Sequence, residues 1–167
     1  GGVEASQDAV VLEQVRGEHS IAGRRIGRRD ATVAGASAAG ATVATGGRRS
    51  EGDDVAHGWF FEPTILACPR QNLRIVDTEL FGPVLCVQRF CTEEEVIGLA
   101  NDTEHGLAAG IFTRDSARSL RMANAVRAGI VWVNTYRVVS PIAEFGGIKG
   151  SGYGRESGFQ AMYDYTR

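Results

Sequence analysis

A carboxylate and an aromatic ring stand close together in the run at residues 78–84, Thr-Glu-Leu-Phe-Gly-Pro-Val. Its acid, Glu79, can accept charge-assisted hydrogen bonds from two neighbouring hydroxyl groups of a ligand. Gly82 and Pro83 predict a turn that presents this carboxylate, and Phe81 supplies an apolar wall beside it. Taken alone, such a run is more often a surface glutamate next to a core phenylalanine. It indicates a ligand site only if other segments support it.

A second, glycine-rich run occupies residues 145–156, Phe-Gly-Gly-Ile-Lys-Gly-Ser-Gly-Tyr-Gly-Arg-Glu. Glycines let backbone amides approach an anion ahead of a helix, so the run invites a phosphate-binding interpretation. Its spacing misses the dinucleotide pattern G-x-G-x-x-G by one residue, and it lacks the Lys-Ser/Thr pair of a P-loop. We therefore interpret residues 150–158 as a structural loop.

Nucleophilic and metal-binding side chains form no motif in this sequence. The cysteines have neither C-x-x-C nor metal-ligand spacing, and the histidines support neither a metal site nor a triad. These residues are Cys68, Cys86, Cys91, His19, His57 and His105. Cys91 precedes a predicted helix, whose N-terminus can lower a thiol pKa, and it is the least implausible nucleophile. A buried, inert cysteine is the commoner interpretation, and we predict no catalytic residue and no metal site.

Length and composition are those of a globular protein. A chain of 167 residues can form one domain with a substantial core, and 43% hydrophobic with 23% charged residues is typical of soluble proteins. A net charge of −2 gives no electrostatic reason to expect nucleic acid or an anionic membrane as a partner. The apolar runs are too short to span a bilayer, and residues 1–5 lack a signal-peptide pattern. We predict a cytoplasmic protein with reduced cysteines.

Alternating strand and helix patterns predict an α/β fold with parallel neighbouring strands. The predicted strands are residues 42–45, 60–66, 84–90, 107–113 and 130–134. A capping box at Thr92 and Glu95 predicts a helix that ends near Asn101. A second helix is expected from Asp115 or Ser116 to a closing Gly129, and a last one over residues 155–166.

Residues 1–40 differ from the rest of the chain. Residues 9–15 have the apolar side of a short helix. Residues 17–40 contain few large apolar groups, no helical or strand periodicity and two arginine pairs, which a solvated loop explains better than a nucleic-acid contact. Such a segment buries too little apolar surface to offset its ordering entropy. We therefore predict a poorly ordered N-terminal segment over residues 1–40, followed by a domain over residues 41–167.

Five segments together resemble the aldehyde dehydrogenase superfamily. Besides residues 78–84 and 145–156, they are residues 59–64 (Trp-Phe-Phe-Glu-Pro-Thr), 101–109 (Asn-Asp-Thr-Glu-His-Gly-Leu-Ala-Ala) and 128–134 (Ala-Gly-Ile-Val-Trp-Val-Asn). Their order and spacing match the C-terminal part of that family's catalytic domain over residues 41–167. The resemblance implies a partial Rossmann-like α/β fold and identifies the chain as a fragment of a much longer enzyme.

The resemblance also implies roles for three side chains. Glu79 would hydrogen-bond the ribose hydroxyls next to the nicotinamide of NAD or NADP, and Phe81 would pack against the nicotinamide ring. Phe145 would flank the reacting carbon in an aldehyde pocket shaped by residues 136–145. Glu144 stands where many members of the family have proline, so the backbone and charge of this pocket depart from the family pattern there.

The family's thiolate, its base and its dinucleotide-binding half precede the matched region. The resemblance therefore implies that this chain alone neither binds the cofactor nor oxidises an aldehyde to a carboxylic acid, as the full-length NAD(P)-dependent enzyme does. Its partners would be the aldehyde substrate and other aldehyde dehydrogenase subunits. One alternative is a non-catalytic interaction module that pairs with a full-length subunit. Another is a truncated gene product without function. The frameshift-like composition of residues 17–40 favours either this alternative or a truncated part of the enzyme.

Overall fold

The computed structural model describes residues 9–11, 32–53, 55, 57–69, 72–80 and 82–166. The chain divides into two compact units. The C-terminal unit consists of Gly1–Val15 and Phe90–Arg167, and the N-terminal unit consists of Arg16–Arg89. Each unit contains a three-stranded sheet with helices, so the predicted α/β class is confirmed.

Six strands and five α-helices are defined in the described residues. The strands are β1 (Ala9–Val11), β2 (Thr42–Thr45), β3 (Thr64–Ala67), β4 (Val84–Val87), β5 (Ala108–Phe112) and β6 (Ile130–Val133). The helices are α1 (residues 32–38), α2 (Arg74–Asp77), α3 (Glu93–Asn101), α4 (Ser116–Ala125) and α5 (Ala161–Asp164), with a 3₁₀ turn at Lys149–Ser151. None of these helices is long and apolar enough to cross a bilayer.

The sheet of the N-terminal unit has the order β2-β3-β4. β3 runs parallel to β4, with Leu66 opposite Cys86, and antiparallel to β2. Burial alternates along β3, because Thr64 and Leu66 face the core while Ile65 is exposed on the other face. The buried core of this unit consists of Val33, Ala36, Ala41, Phe61, Leu66, Cys68, Leu73 and Ile75.

The sheet of the C-terminal unit has the order β1-β5-β6. β5 is parallel to β6 and antiparallel to β1, and four of its five residues are buried, as expected for the central strand. Val96 of α3 and Met122 of α4 pack on Ile111 of β5. This cluster attaches both helices to the sheet and thereby fixes where the loops at the strand ends emerge.

The side chains that begin α3 and α4 are those the sequence predicts. The Thr92 hydroxyl accepts from the Glu95 N–H at 3.1 Å, and the Glu95 carboxylate reaches back to the Cys91 N–H at 2.7 Å. Asp115 caps α4, because its carboxylate accepts from the N–H of Ala117 at 2.8 Å and also from the next amide. Both helix starts are therefore confirmed.

Other predicted boundaries are wrong. Residues 9–11 form a strand instead of the start of a helix, because the open edge of β5 offers backbone partners that a sequence pattern does not reveal. α4 ends at Ala125, and the N–H of Gly129 donates to Gly106 instead of closing the helix. The last helix is confined to Ala161–Asp164, since Ser157 and Gly158 have φ of +61° and +67°, which a right-handed helix excludes.

Four of the five predicted strands are shorter than expected, and two of them are shorter by three residues. The first, expected at residues 60–66, is observed as Thr64–Ala67, after Pro63, which has no N–H to donate to a ladder. The second, expected at residues 84–90, ends at Val87. The prediction for residues 1–40 falls mostly on residues outside the described ones, and poor order there stays a prediction. Within that stretch β1 and α1 are described.

Candidate functional site

Glu79 lies in the connection between α2 and β4 and is half-buried. Immediately before it, the Thr78 N–H donates to the Arg74 carbonyl at 2.9 Å and closes α2. After it, the Pro83 carbonyl accepts from the Thr64 N–H at 2.7 Å, which ties the turn to the start of β3. The connection is thus anchored on both sides of Glu79. Such anchoring suits a carboxylate that must meet a ligand at a fixed position.

Phe145 stands at the base of the 145–156 loop. It forms an antiparallel bridge with Glu156, in which each N–H donates to the other residue's carbonyl at 2.7 Å. Its side chain is half-buried. Phe145 belongs to the C-terminal unit and Glu79 to the N-terminal unit, and each is placed only within its own unit. Phe81 lies outside the described residues, so its packing against a nicotinamide ring stays a prediction.

The glycines inside the 145–156 loop permit close backbone approaches. A Cβ on Gly146 would collide with the carbonyl oxygen of Gly154, and one on Gly147 would stand 2.7 Å from the Cβ of Ser151. The Arg155 guanidinium bonds the loop internally, since Nη1 donates to the carbonyls of Gly147 at 2.8 Å and Gly154 at 2.9 Å. These contacts support the interpretation of the run as a structural loop.

The loop is docked on the connection between α3 and β5. The Ile148 N–H donates to the Gly106 carbonyl at 2.9 Å, and the Gly150 N–H donates to the Glu104 carbonyl at 2.8 Å. In return, the Gly106 N–H donates to the Ser151 hydroxyl at 3.0 Å. Three hydrogen bonds therefore hold the loop against residues 104–106, far away in sequence.

A third segment joins at the same place. The Gly129 N–H donates to the Gly106 carbonyl at 3.0 Å, so this carbonyl oxygen accepts hydrogen bonds from both Gly129 and Ile148. A Cβ on Gly129 would collide with the carbonyl oxygen of Gly146. Segments 101–109, 128–134 and 145–156 thus form one structure, although they look like separate motifs in the sequence. No sequence pattern predicts this arrangement, because the hydrogen bonds and close glycine contacts that create it join residues distant in sequence.

Lys149 has a role that its sequence context does not indicate. Its Nζ donates to the carbonyls of Asn101 at 3.0 Å and Thr103 at 3.3 Å, at the C-terminal end of α3. Burial lowers the pKa of Lys149 from its ordinary value, and the nearby Arg127 guanidinium lowers this pKa further, while Asp102 raises it. The only sign of this role in the sequence is that Lys149 is the one lysine of the chain.

The predicted pocket segment, residues 136–145, starts by folding back over β6. The Trp132 indole N–H donates to the Val138 carbonyl at 2.9 Å. The Trp132 ring also meets the Tyr136 ring edge to face, with centroids 5.2 Å apart and planes at 74°. Trp132 is 8% exposed, so the start of this segment is held by a rigid, buried anchor.

Unusual backbone conformations gather around the same segments. Among the described residues, four non-glycine residues have a positive φ: Asn134 (52°), Arg137 (58°), Lys149 (54°) and Ser157 (61°). All of them lie within residues 134–157, which include Phe145. Left-handed backbone is costly for side-chain-bearing residues and is concentrated at functional sites in proteins. This clustering favours the 134–157 region as the part of the unit that contacts a ligand.

The cysteines are placed differently from one another. Cys68 is buried, and burial raises the pKa of its thiol while a hydrogen bond with the Cys86 side chain lowers it. Cys86 is half-buried and Cys91 is exposed. Within the ranges described, no three His, Cys, Asp or Glu side chains are grouped so as to hold a metal ion. The absence of a nucleophile and of a metal site stays a prediction.

Known proteins resemble this chain over most of its length. The profile of the aldehyde dehydrogenase family matches residues 20–167 and begins earlier than residue 41, the start expected from the motifs. The (Z)-2-((N-methylformamido)methylene)-5-hydroxybutyrolactone dehydrogenase of Acinetobacter baylyi is 51% identical over 128 residues, which are 76% of this chain and 25% of that protein. Betaine aldehyde dehydrogenase of Bacillus subtilis is 45% identical over 127 residues, 76% of this chain and 26% of that protein.

Solved structures also resemble this chain over most of its length. Betaine aldehyde dehydrogenase from Staphylococcus aureus in complex with NAD+ has a TM-score of 0.82 at 40% identity, over 86% of this chain and 29% of that one. PnpE from Pseudomonas sp. WBC-3 has a TM-score of 0.83 at 40% identity, over 87% of this chain and 30% of that one. The chain spans about a quarter of the length of the curated relatives. Since the family profile matches nearly the whole sequence, the chain belongs to the aldehyde dehydrogenase family.

Proposed function

We propose that this chain is the C-terminal part of an NAD-dependent aldehyde dehydrogenase and contributes to its cofactor and substrate sites. The complete enzyme would oxidise an aldehyde to a carboxylic acid in the cytoplasm. The observation that carries the proposal is the position of Glu79 on a connection anchored at both ends. The likeness to an enzyme whose structure contains NAD+ supports the same assignment.

Glu79 fits one part of the cofactor. A carboxylate on an anchored turn can accept hydrogen bonds from both hydroxyls of a ribose, and its charge strengthens each bond. A bound NAD would supply the acceptor for the hydride that leaves the substrate. Glu79 would orient the ribose next to the nicotinamide ring, and Phe81 would limit how that ring sits. One carboxylate cannot replace contacts to the phosphates and the adenine, so we expect negligible affinity of the isolated chain for NAD.

Phe145 would contribute to the aldehyde pocket. Its backbone is fixed by the paired hydrogen bonds with Glu156, so the direction in which its ring leaves the loop is defined. An aromatic wall beside the reacting carbon orients the substrate and excludes water. The nucleophile and the base would come from the rest of the enzyme, since none of Cys68, Cys86 and Cys91 has the sequence context of the family's nucleophile.

A complementation experiment tests this function. The chain is mixed with the preceding three quarters of Bacillus subtilis betaine aldehyde dehydrogenase, and NADH formation is followed by absorbance with betaine aldehyde as substrate. We expect no NADH from either part alone and aldehyde-dependent NADH from the mixture. Glu79→Gln should raise the KM for NAD about tenfold, the effect of losing a charge-assisted hydrogen bond. Glu51→Gln, an exposed loop substitution, serves as the control.

Two results would contradict the proposal. One is NADH formation by the chain alone that Cys91→Ser or Cys68→Ser abolishes, because the nucleophile would then lie in this chain. The other is an active mixture in which Glu79→Gln and Glu51→Gln behave alike, because Glu79 would then not contact the cofactor.

A second candidate function, a non-catalytic module that pairs with a full-length subunit, is favoured by one face of the N-terminal sheet. Ile65, Leu85 and Val87 are 39%, 39% and 43% exposed on that face. Parallel strands such as β3 and β4 are normally covered on both faces. Light scattering should show association of the chain with a full-length relative, and Leu85→Thr with Val87→Thr should weaken it. Association that this double variant leaves unchanged would exclude the face as the contact.

A further inference from the structure

Lys149 connects the 145–156 loop to a distant helix. Its ammonium bonds to the carbonyls of Asn101 and Thr103, which precede it by 48 and 46 residues. Arg155, the other cation of the loop, bonds instead to carbonyls of the loop itself. The contribution of Lys149 is therefore to position the loop relative to its neighbours, while that of Arg155 is to shape the loop internally.

The backbone at Lys149 has an unfavourable conformation. Its φ of 54° lies in the left-handed region, where a side chain costs free energy that glycine would avoid. Gly150 and Gly152 follow closely in the loop, and left-handed backbone is the conformation that glycine adopts most readily. A lysine in this position indicates that its side chain is needed, because only the side chain reaches the end of α3.

The carbonyls at the end of α3 suit a cation. The last carbonyls of a helix lack intrahelical donors and carry the negative end of the helix dipole. Lys149 supplies both a donor and a positive charge there. The adjacent backbone bonds, from Ile148 to Gly106 and from Gly150 to Glu104, flank Lys149 directly and share its register. Loss of the ammonium should therefore loosen both of them.

We propose that Lys149 is a positioning residue, whose ammonium fixes the 145–156 loop on the end of α3 and thereby holds Phe145 in place. Its significance for the substrate rests on the proposed function, in which Phe145 lines the aldehyde pocket. Phe145 lies three residues before Ile148, so Lys149 acts on Phe145 through the backbone of the loop. Lys149 itself touches neither substrate nor cofactor in this assignment.

Amide hydrogen exchange on the 167-residue chain tests the positioning role without NAD or aldehyde. Lys149→Met keeps the length and the apolar stem but removes the donors and the charge, whereas Lys149→Arg keeps both. Lysine, methionine and arginine all bear the same left-handed backbone cost, so the comparison isolates the cationic head. Arg118→Met, which removes a cation from α4, is the matched control.

We expect Lys149→Met to increase exchange at the amides of Phe145, Ile148 and Gly150 by at least about tenfold, the loss of roughly 1.4 kcal/mol of local protection. Lys149→Arg should restore most of it, and the β5–β6 amides should be unchanged in both. Unchanged loop exchange in Lys149→Met would overturn the proposal. Increased exchange confined to α3 would also overturn it, because Lys149 would then act only as a helix cap.

The complemented enzyme separates this inference from the proposed function. In an active mixture, Lys149→Met should raise the KM for the aldehyde severalfold and leave the KM for NAD unchanged, because Phe145 and not Glu79 depends on the loop. A raised KM for NAD alone would contradict the positioning of Phe145. An inactive wild-type mixture would contradict the proposed function, while the exchange experiment would still decide the role of Lys149.

Discussion

The side-chain amide of Asn134 pairs with both backbone polar groups of Thr113. Asn134 Oδ1 accepts from the Thr113 N–H at 2.9 Å, and Nδ2 donates to the Thr113 carbonyl at 2.9 Å. Thr113 is 6% exposed, so its backbone groups have little access to water. The amide therefore continues the β5–β6 pairing at the point where Asn134 adopts a φ of 52° and the chain leaves the sheet. This pairing sets the start of the predicted pocket segment.

Asn134→Ala should destabilise the fold by about 2–4 kcal/mol, because it leaves a buried donor and a buried acceptor of Thr113 unsatisfied. Urea unfolding followed by circular dichroism measures this change. Asn124→Ala is the control, since Asn124 is exposed and its amide donates to the Leu120 carbonyl one turn back on α4. A loss in Asn134→Ala no larger than in the control would contradict the importance of the pairing.

Gly129→Ala should lower the stability of the fold, whereas Gly98→Ala should raise it. A Cβ on Gly129 would collide with the Gly146 carbonyl and push apart two segments of the candidate site. Gly98 lies inside α3, and no atom of the described residues comes near its Cβ position, so alanine there should stabilise the fold by about 0.5–1 kcal/mol through helix propensity. Thermal unfolding of the two variants checks both signs. Equal effects would mean that the close approach at Gly129 relaxes without cost.

The ion pair between α3 and α4 should stabilise the folded state only above acidic pH. Glu93 accepts from Arg121 at 3.0 and 2.9 Å, and hydrogen bonds with Arg121 lower the pKa of Glu93 most, with Arg118 adding to the effect. A carboxyl group whose pKa is lower in the folded state than in the unfolded state stabilises the fold at pH values above its ordinary pKa. This stabilisation disappears as the pH falls through the pKa of the folded state.

The melting temperature of Glu93→Gln should therefore lie slightly below that of the original chain at pH 7, and the two should converge below about pH 4. The Arg121 side chain is 56% exposed and the Glu93 side chain 21%, so water and ions reach the pair and added salt should reduce the difference. Glu94→Gln, on the same turn of α3, provides the control for the loss of a negative charge at the helix start. A difference that persists in acid would contradict the ion-pair explanation.

The titration of Lys149 should respond to Arg127. Burial and the Arg127 charge lower the pKa of Lys149, so Arg127→Met should raise this pKa towards its ordinary value. The chain contains one lysine, and a ¹⁵N-lysine label therefore gives one Nζ resonance to follow by NMR. Arg118→Met is the control for the loss of a more distant charge. A pKa unchanged in Arg127→Met would show that burial alone causes the shift.

The lowered pKa of Lys149 also has a consequence for stability. The unfolded chain binds more protons than the folded one between the folded pKa and the ordinary lysine pKa of about 10.4, so this group makes stability rise with pH in that window. The rise should be absent in Lys149→Met. Unfolding of the two chains across alkaline pH provides the measurement.

Local chemistry made several features predictable. Thr92 and Asp115 begin their helices because their side-chain oxygens satisfy amides only two or three residues away, a relationship contained entirely in the sequence. The apolar runs of β5 and β6 likewise indicated strands, and these strands pair in parallel as expected. The family assignment rested on five segments in order and required no structure. The anchored position of Glu79 was not predictable, because the Thr64 amide that holds the neighbouring turn is distant in sequence.

The sequence by itself determined the α/β class, the starts of two helices and membership of the aldehyde dehydrogenase family, because these depend on residue types and on spacings of a few residues. Only the tertiary structure decided that residues 9–11 pair with β5, that the Gly106 carbonyl accepts hydrogen bonds from two segments, and that the Lys149 side chain reaches the end of α3. These contacts join residues separated by up to about one hundred positions. Their partners depend on which backbone groups the rest of the fold leaves accessible, and no local pattern contains that information.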